Sequence, residues 1–507
     1  MMNSKKPLAQ NRRLALSVAK PNVRLPLTTG VGLPSPSQVT RQPTRFAALL
    51  VFSAILASCT VGPKYEKPAI DTPTAYKEIK DWKIAEPKDG VPRGQWWAVF
   101  GDPQLNALAS KVEVNNQNLR FAEANYRRAQ ALVTQARGAL FPSVSAALST
   151  TRAGTGTRAP ATTHDIGASA SWDTDLFGRL RSGVEANQAS AEAGAADVES
   201  TRLLVQSQLV LNYLQLRVTD AQKKLFDESA AAFAKSLQLT QNRYKAGLAG
   251  RVDVAQAEAQ LKSTQAQAID TGIARAQFEH AIAVLLGVAP SELSIAPESA
   301  LKAVIPTVPA GLPSQLLERR PDIAGAERRV AAANAQIGVA RAALFPSLTL
   351  GVNGGYQSTS WARWLTSPSR FWSLGPDLAY TIFDAGQRRA VTEQAVASYD
   401  ASVATYRQTV LNAFQNVEDN LVALRILEAE AVIQADAVRA ARQAVDLTIN
   451  QYKAGIVSYL NVVTVQTTLL TNERTELGVL GRRLTAAAQL VQALGGGWSI
   501  EQRTAAK

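Results

Sequence analysis

The 507-residue chain has one cysteine, two histidines and two methionines. A single cysteine excludes an internal disulfide framework and a cysteine-rich metal centre. His164 and His280 stand far apart, each without a second ligand nearby in sequence, so a histidine metal site has nothing to build on. No uncharged apolar run of about 18 residues occurs, which removes any predicted spanning helix. The chain lacks a Gly-x-Ser-x-Gly elbow, a phosphate-cradling glycine loop and a His-Glu-x-x-His pair. Gly495–Gly497 follows a helical stretch and reads as a helix stop. The expectation is a protein that is not an enzyme and holds no cofactor or metal. Basic runs interleaved with aromatics are also missing. The formal net charge of +13 is misleading, because eight of those charges fall in residues 1–58, which contain no acid. The remainder is mildly basic, and no nucleic-acid partner is expected.

What is present is length without interruption. From Gln387 to Ala454 there is neither proline nor glycine. Such a run predicts one helix of roughly 100 Å at 1.5 Å per residue, ending at Gly455 in a left-handed turn. A proline-free return stretch, Tyr459 to Leu494, makes the pair a long antiparallel hairpin. Val403, Val410, Phe414, Val417, Leu421 and Leu424 follow heptad spacings. Between them stand Gln408, Asn412, Gln415, Asn416, Asp419 and Asn420, so the seam is narrow and the other faces tolerate water. A cytosolic coiled coil would fit this helix alone.

The first 58 residues have the pattern of an export leader. Arg41 and Arg45 precede a largely apolar stretch, Phe46 to Ala57, too short to cross a bilayer. Leu56-Ala57-Ser58-Cys59 matches a lipobox, in which small residues admit the peptidase and the cysteine receives lipid. The expected covalent group is S-diacylglycerol with an N-acyl chain at Cys59. Two or more chains anchor stably where one does not. A chance cysteine or a plain secretory leader is the bland alternative. Thr60 rather than an aspartate after the cysteine fits a lipoprotein not retained at the inner membrane. Residues 59–103 then form a proline-punctuated tether containing Trp96 and Trp97, for which core packing is the safest assignment. Asp102 is placed to cap a helix that starts at Pro103.

From there the chain repeats itself. Ala136-Arg137-Gly138-Ala139-Leu140-Phe141-Pro142-Ser143 returns as Ala340-Arg341-Ala342-Ala343-Leu344-Phe345-Pro346-Ser347. Leu176-Phe177-Gly178 is echoed by Ile382-Phe383-Asp384, and Tyr244-Lys245-Ala246-Gly247 by Tyr452-Lys453-Ala454-Gly455. Fixed order and nearly constant offset identify a tandem duplication. The expected units are 104–290 and 321–495, joined by a proline-rich linker, 291–320, and followed by a tail, 496–507. Each copy reads as a helix (104–139; 321–343), a Phe-Pro-Ser breaker, two strands, a long helix, a Tyr-Lys-Ala-Gly tip and a return helix. The strands are expected at Val144–Thr151, Ile166–Asp175, Leu348–Gln357 and Trp372–Phe383, which leaves His164 in a loop and His280 in a helix.

Strands of this length match membrane β-strands. Four cannot close a barrel, and an open edge cannot sit in lipid with its backbone groups unpaired. Either the sheet is soluble, or several chains pool their strands. Three chains would give twelve, with their helical hairpins standing below as a tube.

The lipobox with Val61-Gly62-Pro63-Lys64-Tyr65, the Trp96-Trp97 to Pro103 segment and the paired Leu-Phe-Pro-Ser carry a resemblance. So do Glu318-Arg319-Arg320-Pro321-Asp322-Ile323, the paired Tyr-Lys-Ala-Gly and the closing Leu494 to Trp498. Together they resemble the TolC-like outer-membrane efflux proteins, most nearly the NodT-type lipoproteins of tripartite drug pumps. The resemblance implies a mainly helical chain giving four strands to a trimeric twelve-stranded barrel, above a periplasmic helical tunnel. It implies a homotrimer in the outer membrane, partnered by a periplasmic adaptor and an inner-membrane transporter of the resistance-nodulation-division type. The implied function is a passive exit duct for drugs and other small molecules.

By the same resemblance, the tunnel narrows at the periplasmic tip, where Tyr452, Leu460, Asn461 and Thr464 occupy the matching positions. Family members often carry aspartate at one of the last two, giving a cation-selective ring. Asn461 and Thr464 are neutral, which argues against strong cation selectivity. Asp253 fits either a ring of lumen charges or a solvated tip residue paired with Arg251. Leu460 fits an apolar constriction or ordinary hairpin packing. A channel exporting proteins, and a lipid-anchored coiled-coil scaffold, remain the rival functions.

Overall fold

The computed structural model describes residues 60–69, 95–154, 156, 159–298 and 320–496. The leader, the lipobox with Cys59, Glu318, Arg319, Gly497 and Trp498 lie outside the described residues. Seven α-helices and four strands follow one another among those described: α1 Pro103–Asn115, α2 Gln117–Gly138, β1 Ser143–Ala153, β2 Ala161–Asp173, α3 Arg179–Lys245, α4 Arg251–Leu285, α5 Pro321–Ala342, β3 Ser347–Ser358, β4 Arg370–Ala379, α6 Gln387–Lys453 and α7 Tyr459–Ala493. The duplication is visible in the lengths. The long helices α3 and α6 each have 67 residues, and the return helices α4 and α7 each have 35. Both long helices start behind a left-handed glycine, Gly178 or Gly386, and both tips turn through one, Gly247 or Gly455.

One expected helix is two. The chain breaks at Asn116, whose backbone is extended (φ −63°, ψ 125°). Its side chain does two jobs there. Oδ1 accepts the Leu119 N–H at 3.0 Å and so caps α2, while Nδ2 donates to the Leu285 carbonyl at 2.8 Å. The latter bond ties the break to the end of α4, a tertiary contact that periodicity does not report. Asp102 caps α1 as expected, accepting from Gln104 N and Leu105 N at 2.8 and 3.1 Å.

The strands form one antiparallel sheet in the order β1-β2-β3-β4. The fourth stops at Ala379 rather than Phe383, because its partner β3 begins at Ser347, directly opposite Ala379. The second begins at Ala161, which brings His164 out of the expected loop and into β2 opposite Thr150. Its Nδ1 lies 3.0 Å from Thr150 Oγ1, and its ring packs edge-on against Trp361, 5.0 Å between centroids.

Below the sheet the helices make a single layer. Near the sheet its order is α2-α3-α5-α6; toward the tips it is α4-α3-α7-α6. Trp96 and Trp97 are buried against α1, α3 and α7, with Trp96 Nε1 donating to Gln206 Oε1 at 3.2 Å. The heptad seam is also in place. Val410, Phe414 and Val417 pack with Ile323, Val330 and Leu490, and Val403, Leu421 and Leu424 lie alongside. Among the described residues no helix is long and apolar enough to cross a membrane.

Candidate functional site

The register fixes which side chains share each face of the sheet. Val144, Leu148, Ile166, Ala170, Trp172, Leu348, Leu350, Val352, Tyr356, Trp372, Leu374 and Leu378 fall on one face by strict alternation. The other face carries Ser145, Asp165, Ser169, Asp173, Thr349, Asn353, Gln357, Ser373 and Asp377. There the polar groups bond to one another: Ser145 Oγ to Ser169 Oγ at 2.8 Å, Gln357 Nε2 to Asp165 Oδ2 at 3.3 Å. Among the described residues nothing covers the apolar face; Val144 and Trp372 are both 75 % exposed. Leaving a large apolar side chain in water forfeits about 1.5–3 kcal/mol. Five such residues forfeit roughly as much as the entire stability of a domain. An apolar phase must therefore cover this face, and the length of the strands suits a bilayer. Tryptophans mark both ends: Trp172 at the helix end, donating to the Leu140 carbonyl at 2.9 Å, and Trp361, Trp364 and Trp372 at the far end.

At the helix end, each strand-to-helix corner is pinned by an aspartate. Asp175 accepts the Leu180 and Arg181 N–H groups at 2.7 and 3.0 Å. Asp384 accepts Arg388 Nε at 2.6 Å and the Gly386 N–H at 3.1 Å. The Arg388 bond is the main reason that the Asp384 carboxyl ionises below the usual range.

The tips lie at the opposite end of the helical layer. Tyr452 is 3 % exposed and packs with Ala257, Tyr459 and Val462. Its hydroxyl donates to Thr240 Oγ1 at 3.2 Å, whose own proton goes to the Ser236 carbonyl at 2.9 Å. The Arg243 guanidinium covers the Tyr452 ring at 4.8 Å and donates to the Lys453 carbonyl at 3.0 Å. Gln466 Nε2 donates to Ser236 Oγ at 2.9 Å. This polar chain joins the α3/α4 hairpin to the α6/α7 hairpin. The Tyr459 ring meets Tyr452 edge-on, and burial, then the Tyr452 and Asp253 charges, push its hydroxyl up to about 12.

Leu460 is 56 % exposed, and Asn461 and Thr464 are exposed beside it, with Thr464 Oγ1 donating to the Leu460 carbonyl at 2.8 Å. Tyr452 is thus set behind these three rather than among them. Asp253 is engaged locally: its carboxylate accepts the Gly250 N–H at 3.1 Å while its own N–H goes to the Gly250 carbonyl, capping α4. Arg251 is exposed at the same turn. Thr240, Ser236, Gln466 and Arg243 were beyond sequence reasoning. The Tyr-Lys-Ala-Gly repeat marks the tip, but only the packing of α3 on α7 shows which residues cross it.

A two-faced sheet with open edges, standing on a helical layer about 100 Å deep, defines a subunit of an outer-membrane channel. The chain belongs to the outer membrane efflux protein family, whose sequence profile matches residues 108–288 and 312–496. It is similar to the probable efflux pump outer membrane protein TtgC of Pseudomonas putida, 31 % identical over 465 residues, covering 89 % of this chain and 95 % of that protein. It is also similar to the cation efflux system protein CusC of Escherichia coli, at 29 % identity over 89 % of this chain and 98 % of the relative. The solved outer-membrane channel OprN superposes with a TM-score of 0.80 at 31 % identity, over 87 % of this chain and all of that one. The protein is an outer-membrane efflux channel component that extends into the periplasm.

Proposed function

We propose that three copies close into a twelve-stranded barrel in the outer membrane, continued below by a tunnel of helices. Together they form the exit duct of a tripartite pump. The observation that carries this is the pair of open edges. Among the described residues β1 and β4 each lack a partner on one side, and the helical layer ends in α2 and α4 at one rim and α6 at the other. On one rim Phe121, Leu132, Ile269 and Ile273 are exposed; on the other, Leu411, Ile426, Val432, Ile433 and Leu447. Unlike edges that fit head to tail make a heterologous contact, which closes into a ring when the rotation allows. Closure satisfies every strand edge, as lipid requires. The apolar face then meets the bilayer and the polar face lines the water-filled lumen.

Acylated Cys59 anchors each copy to outer-membrane lipid. Leu460, Asn461 and Thr464 line the periplasmic aperture, with Arg251 and Asp253 at the neighbouring tip and Tyr452 holding its width from behind. With neutral residues at 461 and 464, cation preference is weak. A periplasmic adaptor and an inner-membrane transporter of the resistance-nodulation-division type deliver the cargo, which is small molecules. Names among the relatives range over toluene, pyoverdine and cations. That spread fits a duct that leaves selection to the transporter. The test is a mass measurement in detergent with conductance in planar bilayers. Trimers that pass ions support the duct; a non-conducting monomer refutes it. Drug sensitivity without any secretion defect in a deletion strain separates small-molecule efflux from protein export.

A further inference from the structure

Residues 60–69 make a set of contacts that the efflux function leaves unused. They follow α5 in the opposite direction, meeting Gly338, then Asn334, then Glu327. Thr60 lies against Gly178, where a Cβ would come within 2.5 Å of the threonine side chain. A Cβ on Gly62 would meet the Gly338 α-carbon at 2.9 Å, and one on Gly338 would meet Ser182 Oγ at 2.7 Å. Asn334 Nδ2 donates to the Pro63 carbonyl at 3.0 Å. The Tyr65 hydroxyl donates to Glu327, which is only 4 % exposed, and Arg407 Nη2 reaches the Ala69 carbonyl at 3.4 Å.

A buried carboxylate is costly unless it is hydrogen-bonded and paired. Glu327 has Tyr65 Oη on Oε1 and Arg328 Nε on Oε2, the latter at 2.9 Å. Burial, then the Glu327 bond, push the Tyr65 hydroxyl far above the ordinary tyrosine range, so it stays a donor. The fit thus demands glycine at 62 in the segment and at 338 on α5, where a side chain has no room, and a phenol at 65. A flexible tether needs none of these.

We propose that the groove on α5 is a docking site for the extended segment Val61–Tyr65, keyed by Tyr65 and Glu327, which sets the register of the N-terminal strap and bears the pull of the anchor. The load-bearing part rests on the acylation of Cys59 proposed above. Docking fixes Thr60, next in sequence to the proposed anchor, at the level of Gly178, the corner directly below β2. That is the height at which a sheet in the bilayer meets the periplasmic leaflet.

Trypsin provides the test. Lys64–Tyr65 is the cleavable bond within residues 60–69, since Lys67 precedes Pro68. Full-length protein, labelled with fatty acid in the cell and purified in detergent, is digested, and rates are normalised to the unfolded chain. Cleavage follows the undocked fraction when docking is fast. Losing a bond to a charged acceptor raises that fraction about tenfold. The expected result is about tenfold faster cutting in Tyr65→Phe, about threefold in Glu327→Gln, and a double variant no faster than Tyr65→Phe. Gly338→Ala also speeds cutting. Unchanged rates in Tyr65→Phe, or multiplied rates in the double variant, overturn the docking site. A released Cys59–Lys64 fragment without label, with the coupling intact, overturns the acylation and load-bearing while leaving the docking site in place.

Discussion

Removing the Tyr452 hydroxyl tests whether the tip seam holds the duct narrow. Tyr452→Phe keeps the ring, its edge contact with Tyr459 and the Arg243 guanidinium above it. It removes only the 3.2 Å bond to Thr240. A neutral bond of this kind contributes about 1 kcal/mol net, so the open-to-closed ratio of one protomer should rise about fivefold. If three protomers move together, the effect triples to about 3 kcal/mol, or roughly 150-fold. Single-channel recording in planar bilayers separates these cases. Frequent sub-steps mean independent protomers; rare, full openings mean a concerted one. Thr240→Val deletes the same bond but strands the buried Tyr452 hydroxyl, so the double variant should match Tyr452→Phe and open no more than Thr240→Val. Open probabilities that stay at the wild-type level in both singles, or that add in the double, would refute the seam as the restraint.

Other outcomes follow from the same geometry. Leu374→Arg, at mid-strand on the apolar face, should cost about 2–4 kcal/mol of insertion into vesicles, measured by folding titration. Ser373→Arg on the opposite face should cost little, and equal penalties would contradict the assignment of faces. Leu460→Ala should raise single-channel conductance, whereas identical currents would remove Leu460 from the aperture. Cys59→Ser should abolish fatty-acid labelling, and undiminished incorporation would dismiss the lipobox. High pH should loosen the tip. Tyr459 titrates near 12 in the folded protein against about 10 when unfolded. Its contribution is therefore complete below pH 10 and disappears as the pH rises through 12. Tyrosinate absorbance and open probability should climb together in that window; tyrosinate appearing without more opening would uncouple Tyr459 from the seam.

Much of the architecture was legible because duplication doubles every signal. Phe-Pro-Ser twice, Tyr-Lys-Ala-Gly twice and one run free of both proline and glycine located the long helices to within a residue or so. Alternation at Leu348, Leu350 and Val352 revealed a strand, but not where pairing begins and ends, which depends on partners elsewhere in the chain. That is why the fourth strand stops at Ala379 and why His164 is inside a strand. Asn116 interrupts a good helical pattern because the Leu285 carbonyl, 169 residues away, offers its side chain a partner. The tip residues were found only by resemblance. Asp253 illustrates the limit: its charge suggested a lumen ring or an Arg251 pair, while its spacing from Gly250 makes it a helix cap. Val61-Gly62-Pro63-Lys64-Tyr65 looked like plain tether because its fit depends on glycine and glutamate on α5.

The matched helix lengths impose a rule on how this chain can diverge. One added residue in a 67-residue arm turns everything beyond it by about 100° and lowers its tip by 1.5 Å. The shorter helices packed against it, its own return helix among them, would then meet the wrong side chains along the whole remaining contact. Substitutions can accumulate freely on such a hairpin, but insertions must arrive in an arm and its return helix at once or be rejected. Counting, rather than spelling, is what inheritance has to preserve here.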